Sequence, residues 1–440
     1  AVALRRTARA PSGRLLAFGG RPQLRPPSLS LPRGDDARLS RAGVRFFSSS
    51  LALFPLGNNT MFSRQALRRA AAGAGGQVRR LSQVQKLAVG GRGGRSTSSG
   101  KRVVVFGAGG FLGRYVCNVL GQQGHVTVLP NRGCEMEYRH LHPMFDLGQA
   151  AYPLYHGKDE ASIRAAVAGA DMVISLVGKQ YETKAMVPTK RADGTTTRVN
   201  FTYEEANAVI PATIARIAKE EGADTFVHVS ALNQDAESES AWARAKAMGE
   251  DMVKDAFPEA TIIRPAVMFG SEDTFVNYFT AGAWFPFTPV VKDGEVLVQP
   301  VYVGDVARAV VNAMNSKKAA GKTYELVGPD EYTLREVAEY VYDLTGLPNN
   351  LLDVPVGALK LAGDVINNVP SFGRPFFTKD HAIMMATGSV KAADSPYGGL
   401  DALKVEPHTL EKIGWSYLHR HRAGGHFVLA SGYHKDVKTD

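Results

Sequence analysis

The chain has 440 residues and a formal net charge of +10, and 44% of its residues are hydrophobic, which is enough for one large or two modest domains with a buried core. The positive charge is confined to the beginning of the chain. Residues 1–100 carry 17 Arg and one Lys against two Asp, whereas residues 101–440 carry 34 basic and 40 acidic side chains. A mildly acidic folded part lacks the basic surface that phosphate neutralisation requires, so we predict no nucleic acid partner.

The cysteine content and the apolar runs exclude two further classes of protein. Cys117 and Cys134 are the two cysteines, too few for a disulfide framework in a chain of this size, so reduced thiols are predicted. No uninterrupted apolar run reaches the length of about 18 residues that a membrane-spanning helix needs. We therefore predict no transmembrane helix.

Residues 1–100 are rich in Arg, Ser, Ala and Gly and almost free of acid, which is typical of an organellar transit region. Met61 opens M-F-S-R-Q-A-L-R-R-A-A-A, in which apolar and Arg side chains fall largely on different faces of a helix. We expect translation to start at Met61 and the leader to direct mitochondrial import, with residues 90–100 as a flexible linker. A basic arm kept in the mature protein and import into a plastid are the alternatives.

The first predicted element of the folded part is a strand that turns sharply into a helix. Residues 101–106 form a β-branched run typical of a buried parallel strand, and apolar residues then recur at helical spacing. Gly107 would permit the tight turn, Gly110 would let the backbone approach a pyrophosphate, and Gly113 would let helix and strand pack closely. The N–H groups at the helix N-terminus would face the phosphates. The predicted cofactor contacts here are Gly107, Gly110, Phe111, Leu112 and Gly113. An ordinary glycine-rich turn is the alternative.

The end of the second predicted strand, residues 125–129, indicates which nucleotide is bound. A protein that binds NAD would place Asp or Glu about 20 residues past the glycines to hold the ribose 2′-hydroxyl, whereas this chain has Asn131 and Arg132. Arg can bind a 2′-phosphate through a forked, charge-assisted contact. NADP(H) is therefore favoured over NAD(H), although a solvated Arg132 and the nearby Glu135 and Glu137 leave the alternative open.

Strands and helices continue to alternate, with strands predicted at residues 151–156 and 171–177 and a helix at 159–168. The end of the fourth strand falls where a doubly wound sheet opens its ligand crevice. Its predicted cofactor contacts are Leu176, Val177 and Gly178. The polar excursion from Lys179 to Arg198 is predicted to be a surface loop or an insertion and a candidate contact with a partner.

A helix at Asn200–Glu221 and a fifth strand at residues 225–229 lead to Ser230, which is predicted to face the same crevice. The glycine turn and this arrangement resemble the extended and atypical short-chain dehydrogenases, in which a Ser or Thr here bonds the substrate carbonyl. A downstream Tyr-x-x-x-Lys supplies the proton in that family. This chain reads Trp242-Ala-Arg-Ala-Lys246.

The missing tyrosine affects the predicted chemistry. An indole N–H donates a hydrogen bond but does not titrate in the range that proton transfer to an alkoxide needs. Lys246 would still hold the nicotinamide ribose, so cofactor binding is predicted and ordinary dehydrogenase turnover is not. Tyr181 or Tyr203 acting as the donor is the alternative.

Residues 260–270 predict a sixth strand, similar to the R-P-x-x-x-[YF]-G segment of the family, with Pro265 covering the nicotinamide side. Asp305 lies in a segment similar to the family's V-x-D-V-A, and we interpret it as a helix N-terminal cap. A strand at 323–327 and a helix opened by a capping box of Thr333 and Glu336 follow.

Two features lie towards the C-terminus. The amphipathic segment Leu351–Val369 would pack on a small C-terminal lobe or against a partner or membrane surface. Four histidines follow, and their spacing matches no metal-ligand pattern, so no metal site is predicted. They are His419, His421, His426 and His434.

Several specific stretches together, including H-L-H-P-M-F-D-L-G-Q at residues 140–149 and F-G-S-E-D at 269–273, resemble the nucleotide-binding accessory subunits of mitochondrial respiratory complex I. The resemblance implies an α/β fold, a Rossmann-type doubly wound parallel sheet with a small C-terminal lobe. It further implies a bound NADPH outside the electron path and a role in assembly and stability, where the peripheral and membrane arms join.

The resemblance also implies the partners and the location. The partners would be other complex I subunits, and the location would be the matrix side of the inner membrane. A peripheral contact with inner-membrane lipid is a further alternative. The competing functions are a free NADPH-dependent organellar reductase or isomerase and an RNA-binding member of the fold.

The predicted boundaries are a leader at 1–100, a Rossmann domain at 101–270, a C-terminal lobe with interleaved Rossmann elements at 271–418 and a tail at 419–440.

Overall fold

The computed structural model describes residues 99–133, 135–190, 196–280, 287–368 and 377–422. Residues 1–98 of the predicted leader, including Met61, lie outside the described residues, as do Cys134, His426 and His434. Within those residues, no helix combines the length and the apolar character that crossing a membrane would demand.

The described strands and helices alternate along much of the chain. The strands are β1 (Arg102–Phe106), β2 (Val126–Val128), β3 (Ala150–Ala151), β4 (Met172–Ser175), β5 (Thr183–Lys190), β6 (Thr196–Phe201), β7 (Thr225–Val229), β8 (Thr261–Pro265), β9 (Met268–Phe269), β10 (Thr288–Val290), β11 (Leu297–Val298), β12 (Val301–Tyr302), β13 (Thr323–Leu326), β14 (Tyr332–Thr333) and β15 (Leu351–Asp353). The helices are α1 (Phe111–Gln122), α2 (Glu135–Tyr138), α3 (Glu160–Val167), α4 (Ile210–Glu220), α5 (Ala241–Ala256), α6 (Val276–Thr280), α7 (Val303–Asn315), α8 (Leu334–Thr345), α9 (Val356–Asn368), α10 (Lys379–Thr387) and α11 (Leu410–Leu418).

Seven parallel strands form the central sheet in the order β13-β8-β7-β4-β1-β2-β3. The order reverses between β1 and β4, since β2 and β3 extend the sheet on one side of β1 and the later strands extend it on the other. Ligands of doubly wound sheets bind outside the carboxyl ends of the strands at this switch point. The predicted Rossmann-type sheet is confirmed.

Both faces of the sheet are covered, which explains the continuous apolar run of β1. Val103 and Val105 belong to a core cluster shared with α1 and α7, whereas Val104 and Phe106 belong to a second cluster shared with α3, α4 and α5. Successive side chains of a strand point to opposite faces, so a strand covered on both sides needs apolar residues at every position.

A third cluster forms the core of the small C-terminal lobe, with α6, α8 and α11 contributing Phe279, Val337 and Leu418. The predicted capping box at the start of α8 is present. The Thr333 hydroxyl accepts from the Glu336 N–H at 3.2 Å, and the Glu336 carboxylate accepts from the Thr333 N–H at 2.7 Å.

The predicted surface loop at 179–198 is wrong, because most of it forms an antiparallel hairpin of β5 and β6. The run T-T-T-R-V-N-F is rich in β-branched residues, a strand signal that its polarity obscured. The helix predicted from Asn200 consequently starts later, since Phe201 ends β6 and a π-helical turn at Glu205–Val209 precedes α4. The third strand is shorter than predicted, because Pro153 has no N–H to donate to a neighbouring strand.

Asp305 is not the predicted helix cap, since Tyr302 occupies the cap position of α7 and Asp305 lies buried in the first turn. Its carboxylate accepts from the backbone N–H of His408 at 2.7 Å and contacts the His408 Nδ1 at 2.9 Å. It also pairs with Arg308. Asp305 therefore holds the segment before α11 against the sheet domain.

Candidate functional site

The carboxyl ends of β1 and β4 lie side by side at the switch point, and a glycine turn separates β1 from α1. Gly107 has φ of +84°, and a Cβ on it would lie 3.0 Å from the Leu176 carbonyl carbon and oxygen. A Cβ on Gly113 would lie 2.4 Å from the Ala108 oxygen. The turn can pass this close to β4 and to α1 only because these positions have no side chain.

The N-terminus of α1 opens at this turn. Gly110 is the cap residue and, within the described residues, no side chain caps the helix and no acid occupies its first turn. The Leu112 side chain is buried in the core and Phe111 packs against it, so what these two residues can offer a ligand is their backbone N–H groups. Uncapped N–H groups at a helix N-terminus favour an anion such as a phosphate.

The floor of the crevice is polar and buried. A Cβ on Gly178 would lie 2.9 Å from both the Lys246 Nζ and the Asn207 Oδ1, so three elements converge where β4 ends. The Lys246 ammonium donates to the Val229 carbonyl at 3.4 Å. Burial lowers the pKa of Lys246 to about 8, although Glu250 partly opposes that shift.

Asn207 was missed in the sequence. It lies in the π-helical turn, buried, where its Oδ1 accepts from the Lys179 N–H at 3.1 Å and its amide donates to the Lys179 and Tyr203 carbonyls, each at 3.0 Å. The available signal was an Asn within an otherwise apolar helix face, and π-helical turns often occur at functional sites.

Buried polar atoms without partners surround this crevice. Among the described residues, no hydrogen-bond partner is found for the Ser175 and Ser230 hydroxyls, for either polar atom of the Asn131 amide or for the Trp242 Nε1. Most buried polar side-chain atoms in proteins are paired. Orphaned groups after β2 and β7, on β4 and on α5 fit a polar ligand lying along the carboxyl edge of the sheet, as a dinucleotide would.

Cations gather around one aromatic ring near the end of β2. The Arg132 Cζ lies 5.5 Å from the centre of the Phe201 ring, the Lys158 Nζ 5.4 Å and the Lys179 Nζ 5.5 Å. Lys158 is paired with the Glu205 carboxylate at 2.6 Å.

A carboxylate also lies near this end of β2. A Cβ on Gly133 would clash with the Glu137 carboxylate, which shows that the acid folds back over the loop that follows Arg132. Two acids therefore accompany the cations around the ring, Glu205 in its pair with Lys158 and Glu137 beside the loop after Arg132.

Trp242, which the sequence places at the predicted position of the proton donor, lies in the first turn of α5. The Ser240 hydroxyl donates to Asp380 at 2.7 Å and the Trp242 backbone N–H donates to the same carboxylate at 3.3 Å. Burial and the Asp380 charge raise the pKa of Tyr203, which makes this alternative donor a weaker acid. Tyr181 lies with its ring 5.3 Å from the Lys179 Nζ.

The remaining predicted contacts are placed as follows. Pro265 ends β8, and its carbonyl accepts from the Leu232 N–H at 2.9 Å, next to Ser230 at the end of β7. Val177 packs against the second core cluster. Among the described residues, including His419 and His421, no group of three or more His, Cys, Asp or Glu side chains could hold a metal ion.

Comparisons with known proteins agree with this geometry. The NAD dependent epimerase/dehydratase family matches residues 103–326. The chain is 38% identical over 333 residues, 76% of this chain and 83% of the relative, to the mitochondrial NADH dehydrogenase [ubiquinone] 1 alpha subcomplex subunit 9 of Mus musculus. It is also 38% identical to the Arabidopsis thaliana protein of the same name, over 78% of this chain and 83% of the relative.

Among solved structures, the NADPH-dependent quinone oxidoreductase QOR2 of Escherichia coli, in complex with NADPH, is similar with a TM-score of 0.53 at 17% identity. That likeness covers 71% of this chain and 98% of the oxidoreductase and concerns the fold alone. The family match and the relatives together lead to one conclusion: the chain belongs to the NAD dependent epimerase/dehydratase family and, within it, to the group of NADH dehydrogenase [ubiquinone] 1 alpha subcomplex subunit 9 proteins.

Proposed function

We propose that this protein is a non-catalytic accessory subunit of mitochondrial respiratory complex I that binds NADPH as a structural cofactor. The observation that carries the proposal is the crevice itself, where an uncapped helix N-terminus and unpartnered buried polar atoms would suit a dinucleotide. The predicted position of the proton donor carries Trp242, which supports a non-catalytic role. The relatives named as complex I subunits supply the assembly in which such a protein would work.

NADPH would lie along the carboxyl edge of the sheet. The N–H groups after Gly110 would take the pyrophosphate, and the unpaired Asn131 amide and Arg132 would take the adenine ribose with its phosphate. The Ser230 hydroxyl and the Lys246 ammonium would lie on the nicotinamide side, below Pro265. Since Arg132 has no ion-pair partner among the described residues, a 2′-phosphate would supply one, which favours NADPH over NADH.

Bound NADPH supplies a hydride in dehydrogenases, but carbonyl reduction also needs a proton at the developing alkoxide. The Trp242 indole cannot deliver one, and the raised pKa of Tyr203 makes that phenol a poor substitute. A ligand that binds only the native state stabilises the fold by mass action, without any turnover. The crevice is therefore suited to retaining the cofactor rather than to consuming it.

The C-terminal lobe presents an apolar face that supports a place in a larger assembly. On α9, Leu361 is 71% exposed, Val365 65% and Ile366 41%. Apolar side chains that are grouped and exposed mark a contact with a protein or a membrane. We propose that this face lies against complex I subunits or inner-membrane lipid on the matrix side, where the subunit would support assembly and stability of the junction between the arms.

The test is mass spectrometry of the nucleotide that acid releases from the natively isolated protein, with a native gel run beside it. We expect one NADPH for each chain, migrating with a very large respiratory assembly. A small, free protein that arrives without nucleotide and oxidises NADPH with a carbonyl substrate would refute the proposal and favour an organellar reductase.

A further inference from the structure

Lys179 occupies a fixed position between the cofactor crevice and the hairpin of β5 and β6. It directly follows Gly178, and both its backbone N–H and its carbonyl are bonded to the buried Asn207 amide. Phe201, at the other end of the hairpin, is buried and packs beneath the Lys179 ammonium. The two ends of the hairpin segment therefore meet at the rim of the crevice.

Three cations, Arg132, Lys158 and Lys179, surround the Phe201 ring. Lys158 has a carboxylate partner in Glu205 at 2.6 Å, whereas no ion pair within the described residues involves Arg132. Lys179 is half-buried, and that burial together with the charge of Arg132 lowers its pKa to about 8. An anion between these two cations would offset both their repulsion and the burial of the ammonium.

We propose that the 2′-phosphate of NADPH lies between Arg132 and Lys179, so that Lys179 determines cofactor specificity and the bound phosphate holds the base of the β5–β6 hairpin to the crevice. This inference rests on the proposed function, since it requires that NADPH occupies the crevice. Lys179, which follows β4, would thus provide a second cation beside Arg132, which follows β2.

The proposal explains how an isolated hairpin is held. Within the described residues, β5 and β6 pair only with each other and join no larger sheet. Two-stranded hairpins of this kind are marginally stable in water. A phosphate bonded to Lys179, whose backbone Asn207 already fixes, would hold the base of the hairpin when NADPH is present, and NADH would lack that contact.

The test compares nucleotide binding by the full-length chain and by single variants, followed by nicotinamide fluorescence. For Lys179→Met we expect NADPH affinity to fall about tenfold and NADH affinity to change by less than about twofold, because a charge-assisted contact to the 2′-phosphate is lost. Lys179→Arg should retain the preference. Lys158→Met is the matched control, since that ammonium lies at a similar distance from Phe201 and is paired with Glu205, and we expect little change for either nucleotide.

The hairpin has an independent readout in limited trypsin digestion, since Lys184, Lys190 and Arg198 provide cleavage sites. NADPH should slow cleavage there in the wild-type protein more than NADH does, and Lys179→Met should remove the difference. Equal loss of affinity for both nucleotides in Lys179→Met, or no loss, would overturn the proposal. Equal protection by NADPH and NADH would overturn the part that concerns the hairpin.

The outcomes separate this inference from the function on which it rests. If the wild-type protein carries NADPH and Lys179→Met binds it equally well, only the inference fails. If the wild-type protein binds neither nucleotide, the proposed function fails and the inference fails with it.

Discussion

Gly107→Ala should destabilise the protein at the turn that forms the cofactor crevice. Alanine would have to adopt φ of +84°, at a cost of about 1–2 kcal/mol for an L-residue in the left-handed region. Its Cβ would also lie 3.0 Å from the Leu176 carbonyl carbon and oxygen. These are backbone atoms of the residue that directly follows β4, and they cannot move aside easily, which adds about 1–3 kcal/mol.

A smaller effect acts in the opposite direction, because alanine restricts the unfolded chain and so stabilises the protein by about 0.4–1 kcal/mol. We therefore expect Gly107→Ala to lower the free energy of unfolding by about 2–4 kcal/mol. With an unfolding entropy of about 2.1 cal/mol/K per residue, that corresponds to a fall in Tm of roughly 3–6 °C for a folded part of this size.

The assay is thermal unfolding of the full-length chain followed by circular dichroism, with the nucleotide content of each sample measured. Gly109→Ala is a matched control in the same turn, because a Cβ there would meet nothing within 4 Å and its φ is not positive. Its Tm should stay within about 2 °C of the wild-type value. Equal losses in the two variants, or no loss in Gly107→Ala, would refute the argument from the shape of the turn.

Three further predictions concern buried and exposed charges or apolar groups. Burial lowers the pKa of Lys246 from 10.5 to about 8. Below pH 8 the Lys246 side chain is protonated in both the folded and the unfolded protein, and burial of its charge costs the folded state up to about 3 kcal/mol. The wild-type protein therefore gains stability as pH rises from 8 towards 10.5. In urea unfolding, Lys246→Met should be more stable than the wild-type protein at pH 7 and lose that advantage near pH 10.5. An advantage that does not change with pH would contradict this. Arg264 pairs with the buried Glu250 at 2.7 Å and with Glu325 at 3.4 Å. Arg264→Met should therefore lower the free energy of unfolding by about 3–5 kcal/mol, and adding Glu250→Gln should recover part of that loss. A loss below about 1 kcal/mol in the single variant would show that the ion pair is not needed for stability. Leu361→Asp on the exposed face of α9 should change unfolding free energy by less than about 0.5 kcal/mol but reduce incorporation into the large assembly on a native gel, and normal incorporation would exclude that face as a contact.

Much of the sheet and part of the site could be predicted from local sequence. The β-branched run of β1 and the glycines that follow determine a buried strand and a sharp turn through residues adjacent in the chain. The capping box of Thr333 and Glu336 likewise depends on residues three apart. The position of Arg132 after β2 could be predicted because one helix and one strand separate it from the glycine turn, and its contact with a nucleotide stays a prediction.

The rest depended on contacts between distant residues. Asp305 was interpreted as a cap, but its carboxylate holds His408, 103 residues away. Asn207 became recognisable as part of the crevice only when the π-helical turn brought its amide to Lys179. A polar or charged side chain looks the same in a sequence whether it is solvated or buried with a partner, and only the fold distinguishes the two.

By itself, therefore, the sequence determined the doubly wound sheet and the glycine turn, because strand alternation and backbone conformation depend mainly on near neighbours. The tertiary structure alone decided that Lys179 and Phe201 meet at the rim of the crevice, that Lys246 reaches Gly178, and that α9 leaves its apolar face exposed. The two contacts join residues far apart in the chain, so they depend on which elements the fold packs together. The exposure of α9 depends on which elements pack against it.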